Sequence, residues 1–86
     1  RSIRLEVTQR ALEVRTAEAR LAVAERRVLS AAESRRVAGD RYREGVIPSS
    51  ELLDAELAHE RAALARTEAL AVLRLAAAGL DRAVGR

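Results

Sequence analysis

The stretch Arg41-Tyr42-Arg43-Glu44-Gly45-Val46-Ile47-Pro48-Ser49-Ser50-Glu51 decides the fold, because it is the one strong break in an otherwise helical pattern. Glycine tolerates positive φ and suits a helix C-terminus, so Gly45 reads as the end of a first helix. Pro48 cannot continue that helix, and it disfavours helical backbone at Ile47. Ser49 is expected to cap a second helix, with Glu51 and Asp54 near its positive end. The chain therefore reads as helix 1–44, tip 45–49 and helix 50–84. The second helix is about 50 Å long at 1.5 Å per residue. Two such helices joined by so short a turn make an antiparallel hairpin.

Working outward from the break, composition points the same way. The 86 residues allow one small domain. There are 19 Ala, 12 Leu and 8 Val, no Trp, Phe, Met or Cys, and a single aromatic, Tyr42. Charged residues make up 34% of the chain, while glycine and proline together occupy only five positions. This is the signature of long helices or a coiled coil. Gly39 and Gly79 fall inside the helical patterns and are expected at points of close packing, since each costs about 1 kcal/mol against Ala.

The spacing sets a register. A row at intervals of seven runs Val7, Val14, Leu21, Val28, Arg35, Tyr42 in the first helix, followed three residues on by Ala17, Ala24, Ala31 and Ala38. The second helix carries Ala55, Ala62, Ala69 and Ala76 at the same interval. Folded at the break, Ala38 meets Ala55, Ala31 meets Ala62, Ala24 meets Ala69 and Ala17 meets Ala76. Small residues on both sides of a seam let the helices approach to about 8 Å, and a seven-residue period implies a left-handed supercoil. Leu5, Leu12, Val23, Leu29 and Val37 lie off this seam in the first helix, and Leu57, Leu64, Leu70, Leu73 and Leu80 spread around the second. Two helices cannot bury them, so neighbouring hairpins are expected to, and the isolated chain is expected to self-associate as a dimer of hairpins in a four-helix bundle.

Charge excludes some functions. The sixteen arginines exceed the acids by three, but they are interleaved with glutamates and lack stacking aromatics, which argues against nucleic acid as a partner. Residues 1–44 hold 11 Arg and 7 acids, and residues 45–86 hold 5 Arg and 6 acids, so the two helices carry opposite bias. No run approaches the ~20 apolar residues of a membrane span. Arg1 opens the chain within a helical pattern without a cap, as expected of a segment of a longer protein. No catalytic constellation and no cofactor motif emerges. His59, the single histidine, has Glu56 at a ligand-like spacing, but two ligands make a weak metal site, and His59 reads as solvent-exposed.

The order Tyr42 to Gly45, a short tip, then Leu53-Asp54-Ala55 and a closing Leu80-Asp81-Arg82-Ala83-Val84-Gly85 resembles the periplasmic hairpin repeat of the TolC-like outer membrane efflux protein family. The segment 3–28 is similar to that family's long first helix, so the resemblance covers nearly the whole chain. It implies a hairpin of a periplasmic α-barrel within a homotrimeric channel in the cell outer membrane. Such a channel works with an inner-membrane pump and a periplasmic adaptor protein. The resemblance places adaptor docking at Gly45, Val46, Ile47, Pro48 and Ser49, and an entrance constriction at Tyr42, Glu51 and Asp54. Ile47 stands where some members carry an arginine, so a gate pinned by that residue is not expected. Two other readings remain open here. Arg35, Tyr42 and Ser49 have the heptad spacing of an adaptor hairpin's Arg, Leu, Ser series, with Tyr in place of Leu. A generic coiled-coil module would leave the tip unexplained. Val46 and Ile47 are either covered by a partner or stapled onto the second helix.

Overall fold

The computed structural model describes residues 2–85 and contains two helices, α1 (Ser2–Arg43) and α2 (Ser49–Ala83), folded into an extended antiparallel hairpin. The chain is all-α among the described residues. The expected start of the first helix at Arg1 lies outside them. The hairpin measures 66 × 15 × 13 Å. Forty-two helical residues span roughly 63 Å, so α1 runs nearly the whole length. Two straight helices lying flat would be about 13 Å by 5 Å between Cα atoms. The nearly square cross-section means that the pair winds or bows along its length.

Backbone hydrogen bonding ends α1 one residue earlier than the sequence suggests. Gly45 has φ +76°. Its N–H donates to the Tyr42 carbonyl at 3.0 Å, and the Val46 N–H donates to the Arg41 carbonyl at 2.8 Å. This is a Schellman motif with Gly45 in the left-handed position, and it satisfies two carbonyls that the last turn would otherwise leave unpaired. Arg41 and Arg43 lie in the same turn, at the negative end of the helix dipole.

At the start of α2 the expected cap is displaced by one residue. Pro48, at φ −76° and ψ 165°, occupies the N-cap, and no side chain caps the helix. The Pro48 carbonyl accepts from the N–H of Glu51 at 3.1 Å and of Leu52 at 3.5 Å. Ser49 is thus the first helical residue and not the cap. The proline ring already holds the φ that an N-cap tolerates, and its ψ turns the carbonyl into the helix. Glu51, in the first turn, complements the dipole.

The core is thin. Among the described residues only Ala17, Ala24 and Gly79 are buried. Ala31, Ala38, Ala55, Ala62, Ala69 and Ala76 are half-buried along the seam, as are Val14, Leu21 and Val28. Val37, Leu70, Leu73 and Leu80, expected among the residues two helices leave uncovered, are half-buried as well, so the hairpin alone covers part of each. The two interior glycines differ. A Cβ on Gly79 would sit 3.7 Å from the Arg10 Cδ, so the arginine stem of α1 lies across this glycine of α2. A Cβ on Gly39 would meet only the Arg43 guanidinium of its own helix, at 3.6 Å. Close packing against α2 is therefore absent at Gly39, and its helical cost goes uncompensated.

Candidate functional site

Three features of the hairpin could serve a function: the tip, a polar layer near it, and a groove along one flank. The tip comes first. The Schellman bonds leave Val46 projecting, 66% exposed, at the far end of the rod. Ile47 turns back and lines a concavity with Val37, Ala38, Arg41 and Glu51. The two apolar tip residues therefore have different fates: Ile47 is half-buried on the hairpin and Val46 is open to a partner. Ser49 is exposed, like Gly45 and Pro48.

The candidate constriction residues divide between flanks. Glu51 lines the concavity that holds Ile47. Asp54, three residues on and exposed, shares its helical side. Tyr42, 44% exposed, lines the opposite concavity together with Leu52, Gly39 and Glu56. Glu51 and Asp54 thus share one side of α2 by their spacing, and Tyr42 lines a different concavity.

The polar layer was not expected. Arg35 Nη1 lies 3.3 Å from His59 Nδ1. Among the described residues this is the only side-chain hydrogen bond between the helices; the others stay within one helix. His59 is half-buried on the seam and not on a solvated face. The signal for it was present in the interval of seven through Leu52, His59, Arg66, Leu73 and Leu80. Arg35 and Arg66 interrupt the apolar rows of their respective helices, where hydrophobic layers would otherwise lie. In the hydrogen bond the guanidinium donates and the neutral imidazole nitrogen accepts. Among the described residues no three His, Asp or Glu side chains converge as a metal-binding group.

Charge on the outer side of α1 near the tip is organised along the helix. Arg36 pairs with Glu33 at 2.7 Å and with Asp40 at 3.1 Å, and Arg43 pairs with Asp40 in turn. The hydrogen bond from Arg36, and secondarily its positive charge, holds the Glu33 carboxyl below its ordinary range. The same hydrogen bond raises the Arg36 guanidinium. These pairs are exposed, and they brace one helix without bridging the two.

The groove runs along a single flank. One stretch is lined by Leu12, Thr16, Val72 and Leu75, with Ala17 and Ala76 at its floor. The next is lined by Ala19, Val23 and Ala65, with Ala24 and Ala69 at its floor. Nearer the tip, the concavity beneath Ile47 lies on the same column of α1, at Ser34 and Arg41. Sequence reading found the apolar residues off the seam but not their gathering on one side. Comparison of the chain with known protein families, with characterised proteins and with solved structures finds no match. No helix among the described residues is long and apolar enough to cross a membrane.

Proposed function

We propose that the chain is a periplasmic helical hairpin of a TolC-like outer membrane efflux channel. In this reading it packs into the helical barrel of a homotrimer and presents its tip to a periplasmic adaptor protein coupled to an inner-membrane pump. The observation that carries the proposal is the end of the rod: a 66 Å helix–tip–helix body whose fixed turn exposes Val46 to 66%. An apolar side chain on a conformationally restricted turn is a suitable docking point, since little entropy is lost on binding. The ordered motif from Tyr42 through Leu53-Asp54-Ala55 to Gly85 supports the same assignment. Glu51 and Asp54 would constrict the entrance if their shared flank faces the channel axis. Symmetry-repeated carboxylates there would favour cations.

The test is export by the full-length protein carrying Val46→Asp. Val46 touches no groove or seam, so trimer assembly should be unchanged. Adaptor binding should weaken by about 2 kcal/mol or more if the side chain is a desolvated anchor. Glu56→Ala on α2 is the control and should export normally. Unchanged adaptor binding and export in the Val46→Asp protein would refute docking at this tip.

A further inference from the structure

We propose that the grooved flank is the interface for a second copy of this chain. Two hairpins would stack as a two-fold dimer with their tips at the same end. This does not rest on the assignment to an efflux channel. The groove is apolar and unpartnered, with Val23, Ala65 and Val72 along it. Its occupant is identified by charge. The α1 rim carries Glu13, Arg20 and Arg27, and Arg41 extends the same column at the interval of seven. The α2 rim carries Leu75, which places Arg82, Glu68, Arg61 and Asp54 in its column by the same interval.

When a two-fold axis runs parallel to the helices, α1 of one copy lies over α2 of the other, antiparallel to it. The register of the hairpin then recurs between copies. Glu13 falls opposite Arg82, Arg27 opposite Glu68, and Arg41 opposite Asp54, while Arg20 faces the uncharged Leu75 and Arg61 the uncharged Ser34. These pairs are offset from the seam register by two residues, about 3 Å along the axis, which a long side chain spans. Every charged pairing is of opposite sign, and the symmetry makes each occur twice. Among the described residues Arg27, Arg41, Asp54, Glu68 and Arg82 make no ion pair within the hairpin. The alternative stacking, α1 upon α1 with tips at opposite ends, sets the column of Arg20, Arg27 and Arg41 against itself and is disfavoured.

Sedimentation equilibrium of the 86-residue chain at micromolar concentration tests the proposal, with circular dichroism to check helicity. The wild type is expected to be a dimer. Arg27→Glu reverses two symmetric pairings and should raise the dimer dissociation constant about tenfold. Adding Glu68→Arg should restore it to within about threefold. A nitroxide pair introduced through Glu44→Cys should report a separation near 20 Å, set by the width of a four-helix bundle, and not one approaching the 66 Å length of the rod. A monomer, a trimer, a charge reversal without effect or without rescue, or widely separated tips would each overturn the proposal. Val46→Asp lies outside this flank and should leave dimerisation unchanged, so failure here is distinguishable from failure of the docking tip.

Discussion

Gly45 and Gly79 should respond to the same substitution with opposite sign. Gly45 ends α1 at φ +76°, where a Cβ meets no atom within 4 Å but strains the backbone. Left-handed conformation costs an L-residue roughly 1–2 kcal/mol, partly offset by the smaller entropy of an unfolded alanine. The net effect of Gly45→Ala is a loss of about 1 kcal/mol. For a chain of this size that lowers the melting temperature by about 4–8 °C. Gly79 has no positive φ, and its added Cβ would make only ordinary contact with the Arg10 stem at 3.7 Å. Gly79→Ala should therefore gain about 1 kcal/mol of helix propensity and raise the melting temperature by a similar amount. Thermal melts followed by circular dichroism, at one fixed protein concentration because association shifts the midpoint, measure both. Destabilisation by Gly79→Ala would mean that the helices approach more closely there than a 3.7 Å contact implies. A neutral or stabilising Gly45→Ala would refute the left-handed cap.

Two further changes probe the seam and the surface charges. Ala17, only 3% exposed, has no room for a larger side chain. Ala17→Leu should cost about 1–3 kcal/mol in urea titrations by forcing the helices apart, whereas Ala78→Leu, on the exposed side of α2, should be nearly neutral. Glu33 is held below its ordinary value of 4.5 by Arg36, so its folded form binds a proton less readily than its unfolded form. Its stabilising effect is therefore complete above the ordinary carboxylate range and is lost as pH falls through the lowered value. Melts of the wild type and Glu33→Gln should differ at neutral pH and converge in acid, and a gap independent of pH would contradict the pairing with Arg36.

The sequence was most legible where one residue type meets one geometric requirement. Gly45 and Pro48 flank the turn because a left-handed position favours glycine and a proline cannot continue a helix, so the hairpin follows from four consecutive positions. The cap at Ser49 was misplaced because Ser is the stronger N-cap by propensity, whereas the ψ of Pro48 directs the carbonyl that begins α2. His59 was misread because its neighbours Glu56 and Glu60 suggest a solvated face. Its true surroundings depend on Arg35, 24 positions away. Propensity acts within a turn or two of helix, while a cross-helix partner is set by register. For the same reason Gly39 and Gly79 look alike in sequence: both interrupt a helix, and only the arginine lying across Gly79 distinguishes them.

Thin burial ties the flank to the stability of the fold. Ala17, Ala24 and Gly79, the buried residues among those described, have small side chains or none. Burying a Leu or Val contributes about 1.5–3 kcal/mol, and an alanine far less. The seam is thus built for close approach of two backbones and not for a large transfer of apolar surface out of water. Meanwhile Leu12, Leu64, Val72 and Leu75 are each more than half exposed. Conformational entropy of order 1 kcal/mol or more per residue opposes the ordering of both helices. The apolar area needed to offset it lies mainly on outer faces and not between α1 and α2. Folding of the hairpin is therefore expected to be coupled to association, and substitutions on the grooved flank should lower thermal stability more steeply at low protein concentration than at high.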